Sequence, residues 1–138
     1  MTGVVVDASV VLAWGFPDEG NAYADGVLDG LEGQALVVPE LWVLEIVNAL
    51  LVGERRKRIR QAQIRRFLTL LDGLNIVENH QGVENALHSL LPLGREHGLS
   101  AYDTAYLDLA IREGLPLATL EESLRKAAKT AGVAIFRE

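Results

Sequence analysis

The chain has 138 residues, 49% hydrophobic and 23% charged, with a formal net charge of −6, which suits one domain over residues 1–138 with a core of its own. It has no cysteine, so disulfides, thiolate metal sites and thiol nucleophiles are excluded, and a reducing compartment, the cytoplasm, is expected. No charged leader stands before the first apolar run and no apolar stretch approaches the ~20 residues of a membrane span, so neither a signal peptide nor membrane association is expected.

In chain order, Gly3–Val6 predicts a strand, since three consecutive valines suit a parallel strand buried on both faces. Ser9–Trp14 reads as a short helix stopped near Pro17, and 21–31 as a helix with Tyr23, Val27, Leu28 and Leu31 on one stripe. Ala35–Val38 is a second strand, ended by Pro39. Residues 40–53 form a strongly apolar helix that stops at Gly53. Helix 60–71, strand 75–77 and helix 82–97 follow, the last broken or kinked at Pro92. Helix 100–113, strand 117–119, helix 121–131 and a final strand 133–136 complete the pattern. Alternating β and α at this spacing predicts βαβ units, a parallel sheet and right-handed crossovers, with ligands bound beyond the carboxyl ends of the strands.

The acids on apolar segments stand out. Asp7 ends the first strand, Glu45 is the one charge between Leu41 and Val52, and Asp103 and Glu121 each follow a helix-start signal. Burying a carboxylate costs several kcal/mol unless it is paired, protonated or metal-bound. A gathered set would form an acidic pocket suited to a divalent cation. Each acid also has a plain structural reading. Asp7 can cap the next helix, as can Ser9. Asp103 closes a Ser100–Asp103 capping box, and Thr119–Glu122 forms another that leaves Glu121 free. Glu45 shares its helix face with Asn48, and no face of that helix looks solvent-facing. His80, His88 and His97 have no metal-ligand spacing and read as surface residues. Nucleotide-loop and hydrolase-elbow motifs are absent.

The basic residues are unevenly spread. Seven of the thirteen lie between Glu54 and Arg66, with a single acid among them. That makes one basic face on an acidic body, or simply a solvated helix turn.

Four short motifs recur in one order: Val4-Val5-Val6-Asp7-Ala8-Ser9, then Pro39-Glu40-Leu41 leading to Glu45 and Asn48, then Ser100-Ala101-Tyr102-Asp103-Thr104, then Leu117-Ala118-Thr119-Leu120-Glu121. Together they resemble the PIN domain family, and within it the VapC-like toxins of toxin–antitoxin pairs, over nearly the whole chain. The resemblance implies a three-layer α/β/α sandwich with a central parallel sheet and a Mg²⁺- or Mn²⁺-dependent endoribonuclease. It assigns Asp7, Glu45 and Asp103 as the principal catalytic and metal-binding acids. Glu121 is the fourth, standing where the family usually has Asp, and Ser9, Asn48 and Thr119 are polar supports. It also implies a homodimer and a cognate antitoxin that inserts a basic side chain into the acidic pocket. Arg55, Arg56, Lys57, Arg58 and Arg60 would hold the RNA backbone. Two other readings stay open: a catalytically weak binding protein on the same fold, and a doubly wound phosphatase. Against the second, Ser9 stands where such enzymes carry a second Asp.

Overall fold

The computed structural model describes residues 2–138. Its sheet is parallel, in the order β3-β2-β1-β4. The strands are β1 (Gly3–Val6), β2 (Ala35–Pro39), β3 (Ile76–Asn79) and β4 (Leu117–Ala118). Val4, Val5 and Val6 lie between two neighbours and are wholly buried, as their run of apolar residues requires. Register pairs Val5 with Val37 on one side and with Leu117 on the other.

Seven α-helices are described: α1 (Ala8–Gly15), α2 (Ala22–Gly30), α3 (Leu41–Arg55), α4 (Gln61–Asp72), α5 (Val83–His97), α6 (Ala101–Glu113) and α7 (Glu122–Thr130). The strand order fixes their sides. From β1 to β2 and from β2 to β3 the chain steps in one direction, so right-handed crossovers put α1–α4 on one face. From β3 to β4 it steps back across the sheet, which puts α5 and α6 on the other, with α6 lying across β1, β2 and β4. The result is the expected α/β/α sandwich. Because the chain reverses direction between β1 and β4, the crevice at their carboxyl ends is the natural ligand position of such a sheet.

Local signals set several boundaries. Asn21 caps α2 through a 3.0 Å bond from the Ala24 amide, and Ser100 caps α6 through a 3.2 Å bond from the Asp103 amide. Gly98 and Gly114 end α5 and α6 with φ near +65°, a conformation glycine adopts without cost.

Three expectations need correction. Pro92 neither ends nor splits α5: it sits on the exposed side of a fifteen-residue helix and removes only one amide donor. The proposed strand 133–136 reduces to a single bridge between Leu117 and Ile135. Since β4 offers only two residues as an edge, there is little for a fifth strand to pair with. The helix 40–53 does have a solvent side, on which Val43, Leu44, Val47 and Leu51 are exposed, Leu44 at 70%.

The basic segment after α3 is a tight turn. Lys57 takes a positive φ, and Ile59 is buried. Arg58 turns back onto the 3₁₀ turn Pro17–Glu19, with 3.0 and 3.1 Å bonds to Asp18 and a 2.6 Å bond to Glu19, over the Phe16 ring. Under this staple Gly53 meets Phe16 so closely that an added Cβ would lie 2.5 Å from the ring. No helix among the described residues is long and apolar enough to cross a membrane.

Gly53→Ala is therefore expected to destabilise the protein. Overpacking of a buried ring costs about 1–3 kcal/mol, more than the ~1 kcal/mol of helix propensity gained. Urea unfolding should show a lower midpoint at unchanged slope; equal or greater stability would contradict the packing described.

Candidate active site

Asp7 is the first residue past β1, and its backbone amide still bonds to the Ala118 carbonyl of β4 at 3.1 Å. Its side chain thus points into the crevice between the two strands. The residue is 2% exposed. One carboxylate oxygen accepts the Ser9 hydroxyl at 2.5 Å and the Val10 amide at 3.3 Å. The other accepts the Thr119 hydroxyl at 2.6 Å. Asp7 does cap α1, so the two readings of this residue are compatible.

Its supports are themselves tied together. Ser9 Oγ accepts the Leu120 amide at 3.0 Å, and Thr119 Oγ1 accepts the Glu121 amide at 2.9 Å. The Thr119–Glu122 capping box expected from the sequence does not form, because the Thr119 hydroxyl serves Asp7 and the Glu121 amide instead.

Glu45 is half-buried one turn into α3. Its Oε1 accepts the hydroxyl of Tyr106, a buried residue of α6, at 2.5 Å. Asn48 is exposed and makes no hydrogen bond to Glu45, so the support for this acid comes from Tyr106. Nothing in the sequence near Glu45 points to that tyrosine. The one signal is on α6, where Tyr106 lies three residues after Asp103 and shares its face. Asp103 is half-buried in the first turn of α6; its amide caps on Ser100, while its carboxylate meets no donor or cation among the described residues. Glu121 precedes α7 with its side chain exposed.

The electrostatics are those of uncompensated charge. None of Asp7, Glu45, Asp103 or Glu121 forms an ion pair among the described residues. Burial pushes the Asp7 carboxyl up to about 6 against the lowering effect of its three hydrogen bonds, with the Asp103 charge adding a small push. Burial also raises Glu45, where the Tyr106 bond opposes it and Asp103 reinforces it, and burial alone raises Asp103. The Asp103 charge thus raises both Asp7 and Glu45. The three acids do not form a closed cage: no group of three His, Asp or Glu side chains among the described residues converges tightly enough to hold one ion. What the donor set offers a hard cation is oxygen ligands with free lone pairs and no competing positive charge.

The basic run lies elsewhere. Ten residues of helix separate Glu45 from Arg55, about 15 Å along the axis of α3. Arg55, Arg56, Lys57 and Arg60 are exposed, whereas Arg58 is committed to Asp18 and Glu19.

The raised Asp7 pKa makes stability depend on pH. The folded carboxyl holds its proton up to about pH 6, against about 4 in the unfolded chain. Between those values the folded state binds more protons, so this group's contribution is fully present below pH 4 and is lost as pH rises through 6. The expected loss in metal-free protein is about 2–3 kcal/mol. Chemical denaturation at pH 4 and pH 7 should show that loss in the wild type and a smaller one in Asp7→Asn; equal losses would contradict the burial argument.

The chain is similar to known proteins in sequence and in fold. The PIN domain family model matches residues 4–130. Ribonuclease VapC3 of Pyrobaculum aerophilum is 30% identical over 122 residues, covering 88% of this chain and 91% of that protein. Among solved structures, PAE2754 from Pyrobaculum aerophilum superposes with a TM-score of 0.68 at 27% identity, covering 97% of this chain and 83% of that one. FitAcB from Neisseria gonorrhoeae gives a TM-score of 0.63 at 20% identity, covering 97% and 96%, and so shares the fold. With the acid at the β1–β4 crevice, the parallel sheet and a family match over nearly its full length, the chain belongs to the PIN domain family.

Proposed function

We propose that this protein is a Mg²⁺- or Mn²⁺-dependent endoribonuclease that hydrolyses RNA phosphodiester bonds as the toxin of a toxin–antitoxin pair in the cytoplasm. The observation that carries the reading is the uncompensated acid set around Asp7, at the crevice where a sheet of this topology binds its ligand. The similarity to a protein named as a ribonuclease supports the substrate class.

Asp7 and Asp103 are assigned as the residues that would hold the cation. Asp7 is fixed by two hydroxyls and an amide, and Asp103 is unencumbered. Glu45, oriented by Tyr106, faces the same charge and would act through water or orient the attacking water, and Glu121 would be an outer ligand. When bound, a hard divalent ion supplies charge that acidifies a water and offsets the negative charge of the phosphoryl transition state. The chain's part is to hold the carboxylates ionised and immobile. The Ser9 and Thr119 hydroxyls favour the charged form of Asp7 and remove its rotamer freedom.

RNA would be held by Arg55, Arg56, Lys57 and Arg60, Arg58 being occupied. Arg55, about 15 Å along α3 from Glu45, and the turn residues that follow it suit phosphates flanking the cleaved bond, through interactions independent of sequence. The apolar faces of α3 and α5, where Leu44, Val83, Leu87 and Leu91 are exposed, fit a homodimer. A cognate antitoxin with a basic side chain would find an acidic pocket without a cation of its own. A second reading, a catalytically weak PIN-fold binding protein, is favoured by one observation: the acids do not converge as a three-ligand group.

RNA cleavage with purified protein and Mn²⁺ separates the two. The wild type should cut, and Asp7→Asn and Asp103→Asn should each slow the reaction about 10²–10³-fold, the value of several kcal/mol of lost charge stabilisation. Cleavage by these variants at the wild-type rate would rule the site out, and no cleavage by the wild type would favour the second reading. Replacing both Arg55 and Arg56 with Ala should reduce the salt dependence of RNA binding by about 0.7 in log–log slope for each phosphate that is no longer neutralised; an unchanged slope would place the RNA elsewhere.

A further inference from the structure

The turn that carries Thr119 is held from outside by a residue with no place in the site itself. Arg125, one turn into α7, donates a 2.9 Å hydrogen bond from its guanidinium to the Thr119 carbonyl. The same guanidinium lies 4.7 Å from the centroid of the Tyr23 ring and 3.5 Å from a Glu138 carboxylate oxygen. Lys129 shares that carboxylate. Tyr23 is fixed in turn, because its hydroxyl donates to the Phe136 carbonyl at 2.7 Å. On the inner side of the turn, the Leu120 amide is bound to Ser9 and the Glu121 amide to Thr119, and both hydroxyls end on Asp7.

We propose that Arg125 is a positioning residue of this site. It locks the 119–121 turn against Tyr23 and the 136–138 segment, so that Ser9 and Thr119 present their hydroxyls to the Asp7 carboxylate in one geometry. A planar fork with several donors suits this role, because one group must bond a carbonyl, cover a ring and meet a carboxylate together. A lysine can supply only part of that set. The consequence for catalysis rests on the nuclease reading; the consequence for the turn does not.

Amide hydrogen exchange of the whole protein, read by NMR, tests the proposal. In Arg125→Met the Leu120 and Glu121 amides should exchange at least about tenfold faster while Val5 and Val37 in the sheet keep their rates, a local opening rather than a global one. Arg125→Lys should restore part of the protection. Unchanged rates at Leu120 and Glu121 would overturn the proposal. So would equal acceleration throughout the protein, which would make Arg125 a stability residue only. In RNA cleavage Arg125→Met should lower kcat about tenfold at unchanged KM, the mark of lost alignment. A raised KM with unchanged kcat would make Arg125 an RNA-binding residue and overturn it equally. Failure of the wild type to cleave RNA would remove the nuclease reading, and the exchange rates would still decide for or against Arg125.

Discussion

Burial of the Asp7 carboxylate is the constraint around which this molecule is arranged. A charged group this deep costs several kcal/mol unless neighbours or a counter-ion compensate it. The fold supplies hydrogen bonds and no cation. Ser9, Val10 and Thr119 satisfy lone pairs on both oxygens, and in doing so they join β1, α1 and the β4–α7 turn. The bonds favour the ionised form, yet burial wins and the pKa still rises. A ligand that brings positive charge would favour the ionised form of such a group.

The helices on either side carry two further acids, Glu45 and Asp103, each set by different means. α3 begins directly after β2, so Glu45 lands one turn beyond the sheet's carboxyl edge, and Tyr106 crosses from α6 to hold it. α6 begins at a Ser100 cap, which puts Asp103 in its first turn. Ser100 caps the helix through the Asp103 amide, whereas the Asp103 carboxylate accepts no hydrogen bond among the described residues, so the second half of the expected capping box does not form.

Much of this is legible in the sequence, and the parts that are not share a cause. Val4–Val6 can be read as a doubly buried strand because period and composition are local. The same holds for the Ser100 cap, where the signal and its partner lie three residues apart. Tyr106 and Arg125 cannot be assigned that way, since their partners are reached only after the chain folds: Glu45 stands 61 residues from Tyr106, and Tyr23 lies on the far side of the sequence from Arg125. Arg58 reads as one of a basic run for the same reason, its acids lying about 40 residues away. Pro92 and the segment 133–136 show the reverse. A local breaker is outweighed by the long helix around it, and a local strand signal fails for want of an edge to pair with.

Whether Asp7 belongs to a cation site is the central question. Thermal unfolding of the wild type and Asp7→Asn at pH 7, with and without millimolar Mn²⁺, measures this directly. Binding to the folded state alone stabilises by RT ln(1 + [L]/Kd), about 2.7 kcal/mol at a hundredfold excess over Kd. A cation site at Asp7 predicts that Mn²⁺ raises the melting temperature of the wild type and leaves that of Asp7→Asn unchanged. A wild type indifferent to Mn²⁺, or an Asp7→Asn variant stabilised as much as the wild type, would contradict it.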